Sequence, residues 1–193
     1  PSSCQKVGHI CFAYDDIVYS YGNYDSDSFH LNQTIGDGIF FTVPLEKYIP
    51  NMISAENNSI FEYGVYTTSK QNALIEKEIE KIRQNGYRWY TKIEKEDGYD
   101  RFSEYEMDYP SRLHYRTGAK LYKVKSGKFH IYWALGDNCA SFTDLVLGTL
   151  GADVLSIRGI ISPGTYLDWL QKEYLKKNSP VVFRCIYKEW DSE

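Results

Sequence analysis

A cysteine and a histidine, far apart in the chain, have the residue types and surroundings that nucleophilic catalysis requires. Cys139 stands in the first turn of a predicted amphipathic helix, directly after a predicted strand and a tight turn. Unpaired backbone N–H groups and the positive end of the helix dipole favour a thiolate there, which predicts a pKa below the ordinary value. The alternative is a small buried residue at a helix start, because free cysteine is among the most buried residue types.

His9 lies in the segment Gly-His-Ile-Cys-Phe-Ala on the first predicted strand, where an imidazole can act as a general base. The preceding Gly8 would let another backbone or a substrate approach closely. The alternative for a lone strand histidine is a hydrogen-bonded structural role. Three other histidines lie in a polar loop or beside a weakly patterned region, and we regard them as less constrained: His30, His114 and His130.

The other three cysteines offer weaker chemistry. Cys11 follows His9 by two residues and so shares its predicted strand face, but a mid-strand thiol gains nothing from a helix dipole and is predicted to be a core residue. Cys4 and Cys185 are near opposite ends of the chain and could pair in an oxidising compartment, since termini often lie close together. No Cys-x-x-Cys spacing occurs, so we expect neither a metal site nor another cofactor.

The elements that must position these residues follow from periodicity and turn signals. Short β-branched and aromatic runs predict strands, with one hairpin turning at Asp15-Asp16 and another across Ser126-Gly127. Residues 22–37 are rich in turn-forming residues and predict a loop, while residues 87–128 show no sustained period before the second hairpin. The predicted strands cover residues 7–14, 17–21, 38–43, 61–67, 121–124, 129–133 and 181–187.

Capping signals mark the predicted helices. Thr68 and Gln71 form a capping-box pattern ahead of three isoleucines at helical spacing, and Gly86 closes that helix. The helix that carries Cys139 is predicted to be closed by Gly151. The predicted helices cover residues 44–48, 68–85, 137–150 and 165–177. The order of elements predicts an α+β fold, and the absence of a linker or repeat predicts a single domain over residues 1–193.

Composition narrows the classes of function. The chain has 193 residues, a net charge of −4 and 42% hydrophobic residues, which predicts a packed globular domain without the positive field that nucleic acid requires. No apolar run approaches the roughly 18 residues of a membrane span, so we expect no transmembrane segment. The first residues, Pro-Ser-Ser-Cys, lack the basic and apolar regions of a signal peptide.

The motifs together resemble the circularly permuted NlpC/P60-type branch of the papain-like cysteine peptidases and amidases. In that branch a Gly-His motif on an early strand precedes an Asn-Cys motif at a helix start, which reverses the order of ordinary papain-like enzymes. The likeness covers about the first quarter and the last third of the chain. The matching pieces are Gly8-His9, the strand end Tyr19-Ser-Tyr-Gly22, Asn138-Cys139-Ala-Ser-Phe142, the helix-closing Gly151 and Ser162-Pro163-Gly164.

The resemblance implies a papain-like antiparallel sheet packed against helices, and it implies roles for individual residues. Cys139 would be the nucleophile and His9 the general base. The Cys139 backbone N–H would donate to the oxyanion, with Asn138 as an oxyanion or positioning residue. Papain-like sites usually orient the histidine through a His, Asn or Asp on the neighbouring strand, and this chain offers hydroxyls instead. Tyr21 and Ser20 are the side-chain candidates, and a backbone carbonyl is the alternative.

The implied activity is hydrolysis of an amide bond through a thioester. The commonest substrate of the family is the peptide stem of bacterial cell wall, which predicts a peptidoglycan amidase or endopeptidase. Such enzymes are often secreted or delivered into target cells as antibacterial effectors or toxins, and an immunity protein would then be a partner. Two alternatives stay open. One is an acyltransferase or protein deamidase that uses the same pair; the other is a binding module on a papain-like fold without turnover.

Overall fold

The structure is a computed structural model and describes residues 8–28, 34–96, 103–150 and 162–189. The strands are β1 (Phe12–Tyr14), β2 (Ile17–Gly22), β3 (Ile35–Asp37), β4 (Ile39–Pro44), β5 (Ile60–Val65), β6 (Gly86–Trp89), β7 (Lys120–Val124), β8 (Ile131–Trp133) and β9 (Val181–Tyr187). The α-helices are α1 (Leu45–Pro50), α2 (Ser69–Gln84), α3 (Lys92–Lys95), α4 (Tyr109–Thr117), α5 (Cys139–Leu147) and α6 (Pro163–Tyr174). Short 3₁₀ turns cover Ser26–Ser28 and Gly148–Leu150, and a π-helical turn covers Asn51–Ala55.

The main sheet has five antiparallel strands in the order β1-β2-β4-β7-β6. Two smaller antiparallel pairs, β3-β8 and β5-β9, accompany it. Helices pack against the sheet, which confirms the predicted α+β class. None of the helices in the described segments is both long and apolar enough to cross a membrane.

Alternation along β2 divides the core into two layers. Tyr19 and Tyr21 lie in the apolar cluster shared with helices α2 and α5, whereas Val18 lies in the cluster shared with helices α1 and α4. Successive strand residues point to opposite faces, so the even-numbered Ser20 shares the face of Val18. The sheet is therefore covered by helices on both faces, and neighbouring residues of β2 belong to different layers.

The first hairpin and the capping-box helix form as predicted. Strands β1 and β2 pair across Asp15 and Asp16, both of which have positive φ angles, 50° and 57°. That geometry suits a two-residue hairpin turn, where Asp tolerates the left-handed region. Helix α2 begins after Thr68, whose side chain accepts from the backbone of Gln71 while the Gln71 side chain accepts in return. Its buried face is the predicted isoleucine row: Ile75, Ile79 and Ile82.

The predicted hairpin across Ser126-Gly127 is wrong. Strand β7 pairs with β4 and β6, whereas strand β8 pairs with β3. The cause is a close chain crossing at Gly38, between β3 and β4, where an added Cβ would lie 1.8 Å from the Phe129 carbonyl oxygen. Gly38 donates its N–H to His130 and accepts from Val124, so each side of the supposed hairpin bonds to the β3–β4 segment.

Several short elements were missed because they are too brief to show a period. Strand β3 lies inside the predicted loop, and β6, α3 and α4 lie inside the unpatterned stretch. Their caps are nonetheless visible in the sequence. Thr91 and Glu94 form a capping box for α3, Asp108 caps the start of α4, and Gly118 ends α4 with a left-handed φ of 71°. The predicted closing residue Gly151 lies outside the described residues, as do His30 and Cys4.

Candidate active site

The start of helix α5 is fixed by Asn138. Its side-chain oxygen accepts from the backbone N–H groups of Ala140 and Ser141, at 2.9 and 3.0 Å. In return the Ser141 hydroxyl oxygen accepts from the Asn138 backbone N–H at 2.9 Å, which completes a capping box. The Asn138 amide nitrogen donates to the Ala134 carbonyl. Asn138 thus fixes the position of the first helical residue, Cys139, and both polar atoms of its side chain bond to backbone groups.

The Cys139 thiol is buried and surrounded by hydrogen-bond donors. Only 4% of the residue is exposed, and the groups that act on its sulfur are the His9 side chain and the backbone N–H groups of Ile10 and Ala140. Burial alone would raise the pKa of this thiol. The positive charge available on His9 and these donor groups outweigh burial, so the pKa of Cys139 lies below its ordinary value.

The prediction that His9 lies on the first strand is wrong, because β1 begins only at Phe12. Pairing with β2 begins at Phe12, so His9 and Ile10 lie outside the ladder, and the Ile10 backbone is among the groups that act on the Cys139 thiol. Gly8 enables the path, since its φ of 77° is one that side chains rarely adopt. His9 is an exposed residue, although neighbouring atoms crowd its ring. Burial lowers the pKa of the imidazole, but the charge and hydrogen bond of Cys139 raise it further, so the net shift is upward.

Ser20 is the predicted orienting residue that the structure brings to the histidine. His9 Nε2 lies 2.7 Å from Ser20 Oγ, and the side chain of Ser20 is fully buried on β2. The hairpin carries β2 back alongside the His9 segment, which places the Ser20 side chain beside the imidazole. The site therefore brings together a thiol, an imidazole and a hydroxyl: Cys139, His9 and Ser20.

Tyr21, the other predicted candidate, is not near His9. Its hydroxyl donates to the Phe129 carbonyl at 3.0 Å, and its ring stacks on Phe142 of α5 with centroids 5.0 Å apart. Adjacent strand residues face opposite layers, so Ser20 and Tyr21 cannot both reach the imidazole. Tyr21 is a core residue that ties β2 to the Phe129 turn.

Replacing Tyr21 with phenylalanine should therefore affect stability and not the thiol. The change leaves the Phe129 carbonyl unpaired at a buried site, and we expect the free energy of unfolding to fall by about 1 to 3 kcal/mol. Chemical denaturation measures that loss. The rate at which iodoacetamide alkylates Cys139 in the folded variant should equal the wild-type rate, and a large drop would return Tyr21 to the site.

The remaining described cysteines are placed differently. Cys11 Sγ lies 4.0 Å from the Tyr48 hydroxyl, and burial raises the pKa of the Cys11 thiol to about 11. A thiol that holds its proton so firmly is a poor nucleophile near pH 7, which agrees with the predicted core role. Cys185 is a free thiol on β9, and its suggested partner Cys4 lies outside the described residues.

Sequence reasoning missed Tyr24, whose hydroxyl lies 3.0 Å from Ser20 Oγ. Tyr24 follows β2 in the predicted loop, where no periodicity marks a residue. The signal that could have found it is Gly22, because a Cβ there would lie 2.9 Å from the Tyr24 ring carbon Cζ. A glycine at a strand end often marks the close approach of another group, and here that group is the tyrosine ring.

No metal-binding cluster occurs within the four described segments, which contain no group of three His, Cys, Asp or Glu side chains placed to hold an ion. No protein-family model matches the chain, and no curated protein or solved structure matches it. Functional inference therefore depends on the geometry of Cys139, His9 and Ser20.

Proposed function

We propose that this protein is a cysteine hydrolase of the permuted, papain-like NlpC/P60 type that cleaves an amide bond. The observation that carries the proposal is the grouping of the Cys139 thiol, the His9 imidazole and the Ser20 hydroxyl at the start of helix α5, with His9 Nε2 and Ser20 Oγ 2.7 Å apart. A thiol with a lowered pKa, beside an imidazole with a raised pKa, is the arrangement expected of an activated nucleophile and its base.

The chemistry follows from the two ring nitrogens of His9. Since Nε2 is bonded to Ser20, Nδ1 is the nitrogen left to face the Cys139 sulfur. The thiolate attacks the substrate carbonyl carbon, and the resulting oxyanion accepts a hydrogen bond from the Cys139 backbone N–H. His9 then protonates the departing amine as the carbon–nitrogen bond breaks, which leaves a thioester. A water molecule, deprotonated by His9, attacks the thioester and releases the carboxylic acid and the free thiol.

The substrate we propose is the peptide stem of bacterial cell wall, and the protein would act as a secreted or delivered antibacterial effector with an immunity protein as partner. Incubation with purified peptidoglycan, followed by mass analysis of soluble fragments, tests this directly. We expect fragments that have each gained one water at an amide bond, and none from the Cys139→Ala variant. Equal release by that variant would refute the mechanism, while no release by a protein with a reactive Cys139 would refute the substrate.

Acyl transfer is a second candidate, favoured by an apolar surface next to the start of α5. Ile131, Trp133 and Leu135 are 44%, 48% and 55% exposed, only a few residues before Cys139. An exposed apolar patch suits a lipid acyl group or another apolar substrate. If vesicles of a phosphatidylcholine acylate Cys139, seen as a thioester by mass spectrometry, and the acyl group then passes to an amine or hydroxyl acceptor and not to water, this candidate replaces the hydrolase.

Thiol reactivity separates both enzymes from a binding module. The pKa of Cys139 is lowered and that of His9 is raised, so the thiolate persists as the pH falls, until the pH passes below the lowered thiol pKa. An ordinary thiol is only about 0.3% ionised at pH 6. We expect the rate of iodoacetamide alkylation at Cys139 to fall less than about tenfold between pH 8 and pH 6, as mapped by peptide mass spectrometry, whereas an ordinary thiol loses more than about 50-fold. A fall as large as that of an ordinary thiol would favour the binding module.

A further inference from the structure

Ser20, which bonds to His9, also contacts a further residue, Tyr24. Ser20 Oγ lies 2.7 Å from His9 Nε2 and 3.0 Å from the Tyr24 hydroxyl oxygen. Ser20 is fully buried, so its single hydroxyl proton can be donated either to His9 Nε2 or to the Tyr24 hydroxyl oxygen. The direction that this proton takes decides whether Ser20 accepts from the imidazole or donates to it.

The Tyr24 ring is held by its neighbours. Its ring centroid is 5.3 Å from that of Phe41 and 5.9 Å from that of Tyr109, and Gly22 leaves the space that the ring edge occupies. A ring packed in this way keeps its hydroxyl oxygen at a fixed point beside Ser20. Burial, more than any nearby charge, holds the pKa of Tyr24 well above its ordinary value, so the hydroxyl stays neutral over the working range of a hydrolase.

We propose that Tyr24 is a positioning residue of the hydrolase: its hydroxyl oxygen accepts the Ser20 proton and so turns a Ser20 lone pair towards His9. The inference rests on the proposed Cys139–His9 pair. A serine that donates to Tyr24 can accept from the Nε2–H of the imidazolium, which stabilises the charged ring. Without Tyr24, the Ser20 proton can turn to Nε2 instead, and that arrangement stabilises the neutral ring.

Within the described residues, the other titratable groups near the pair hold their protons near pH 7. Cys11 has a pKa raised to about 11, and burial raises the pKa values of Tyr48 and Tyr109 above the ordinary tyrosine range. In the same part of the chain, no carboxylate is among the groups that shift the pKa of His9 or Cys139. A change in the pH profile of Cys139 on altering Tyr24 would therefore report on the imidazole.

The test is the pH dependence of Cys139 alkylation by iodoacetamide in Tyr24→Phe, measured from pH 5 to 10 and requiring no substrate. Without the Tyr24 oxygen that accepts the Ser20 proton, the pKa of the His9 imidazolium should fall and the pKa of the Cys139 thiol should rise. We expect the acid limb of the profile to move up by about 0.5 to 1 pH unit, which slows alkylation about 3- to 10-fold below pH 7 and leaves it unchanged near pH 10. Tyr109→Phe is the matched control, because that hydroxyl is directed to Met52 Sδ at 3.9 Å and not to Ser20.

Two further variants test whether Tyr24 acts through Ser20. Gly22→Ala keeps the Tyr24 hydroxyl but pushes its ring aside, and it should give the same shift even if Tyr24→Phe folds poorly. In a Ser20→Ala background, Tyr24→Phe should add nothing further, since the residue through which it acts is gone. A wild-type profile in both Tyr24→Phe and Gly22→Ala, or a uniform loss of rate at every pH, overturns the role of Tyr24 and leaves the proposed function standing. A wild-type Cys139 whose alkylation falls with pH as steeply as that of an ordinary thiol overturns the pair itself.

Discussion

Cys139→Ala should reduce amide hydrolysis to background, and His9→Ala should reduce it nearly as far. In the proposed mechanism the Cys139 sulfur bonds to the substrate carbonyl carbon, and the His9 imidazole both stabilises the thiolate and protonates the leaving amine. A nucleophile and its base act as a unit, so losing either removes most of the chemical step, about 10³- to 10⁶-fold in kcat. Initial rates of fragment release from peptidoglycan, at saturating substrate, measure the loss.

The matched control is Cys11→Ala. Cys11 is a thiol of the same segment as His9, yet its raised pKa and its neighbour Tyr48 place it in the core. Most of the activity should survive that change, although some stability is lost with the buried sulfur. Circular dichroism should show all three variants folded. Full activity in Cys139→Ala, or the loss of activity only in Cys11→Ala, would contradict the assignment of the nucleophile.

The helix that carries Cys139 was predictable because its signals are local. An Asn two residues before Ala140 and three before Ser141 can satisfy the first free N–H groups, and the structure shows it doing so. The hairpin at Asp15-Asp16 was predictable for the same reason, since two turn residues between two apolar runs leave few other paths. Local capping and turn chemistry therefore identified the elements on either side of the site.

What the sequence could not supply was pairing between distant segments. The strand at residues 120–124 joins β4 and β6 because the chain crosses itself at Gly38, a contact between residues about 90 positions apart that leaves no periodic mark. The position of His9 outside the ladder has a similar origin, because the neighbouring Ile10 lies beside the Cys139 thiol, which belongs to a helix much further along the chain. Such contacts are decided by packing of the whole core, not by local propensity.

The group that orients His9 could be predicted only in part. Strand alternation alone requires that Ser20 and Tyr21 face opposite layers, but which layer holds the imidazole depends on how the Gly8–Ile10 segment leaves the sheet. That path is set by the Gly8 backbone and by the contact with Cys139. The candidates were therefore two neighbouring side chains or a backbone carbonyl, and of the two side chains Ser20 is the one that lies beside the imidazole.

Ser20→Ala should lower kcat about 10- to 100-fold, which corresponds to about 1.4 to 2.7 kcal/mol of transition-state stabilisation, with little change in KM. The hydroxyl is 2.7 Å from His9 Nε2, so removing it leaves the imidazolium without its acceptor and the ring free to turn away from the thiol. A hydroxyl stabilises the charged ring less than a carboxylate does. The decrease in kcat for Ser20→Ala should therefore be smaller than the decrease for His9→Ala.

The pH dependence of kcat distinguishes the loss of the Ser20 hydroxyl from misfolding, because misfolding would not shift the profile along the pH axis. The folded pKa of His9 is raised, and losing an acceptor of Nε2–H should move it down and the pKa of Cys139 up, so the acid limb of kcat against pH should shift to higher pH. Ser20→Thr keeps a hydroxyl at the same carbon and should restore part of the activity wherever the added methyl group fits. Tyr21→Phe is the adjacent control and should retain the wild-type profile. If Ser20→Ala kept both kcat and the profile unchanged, His9 would be oriented by a backbone carbonyl or by water instead.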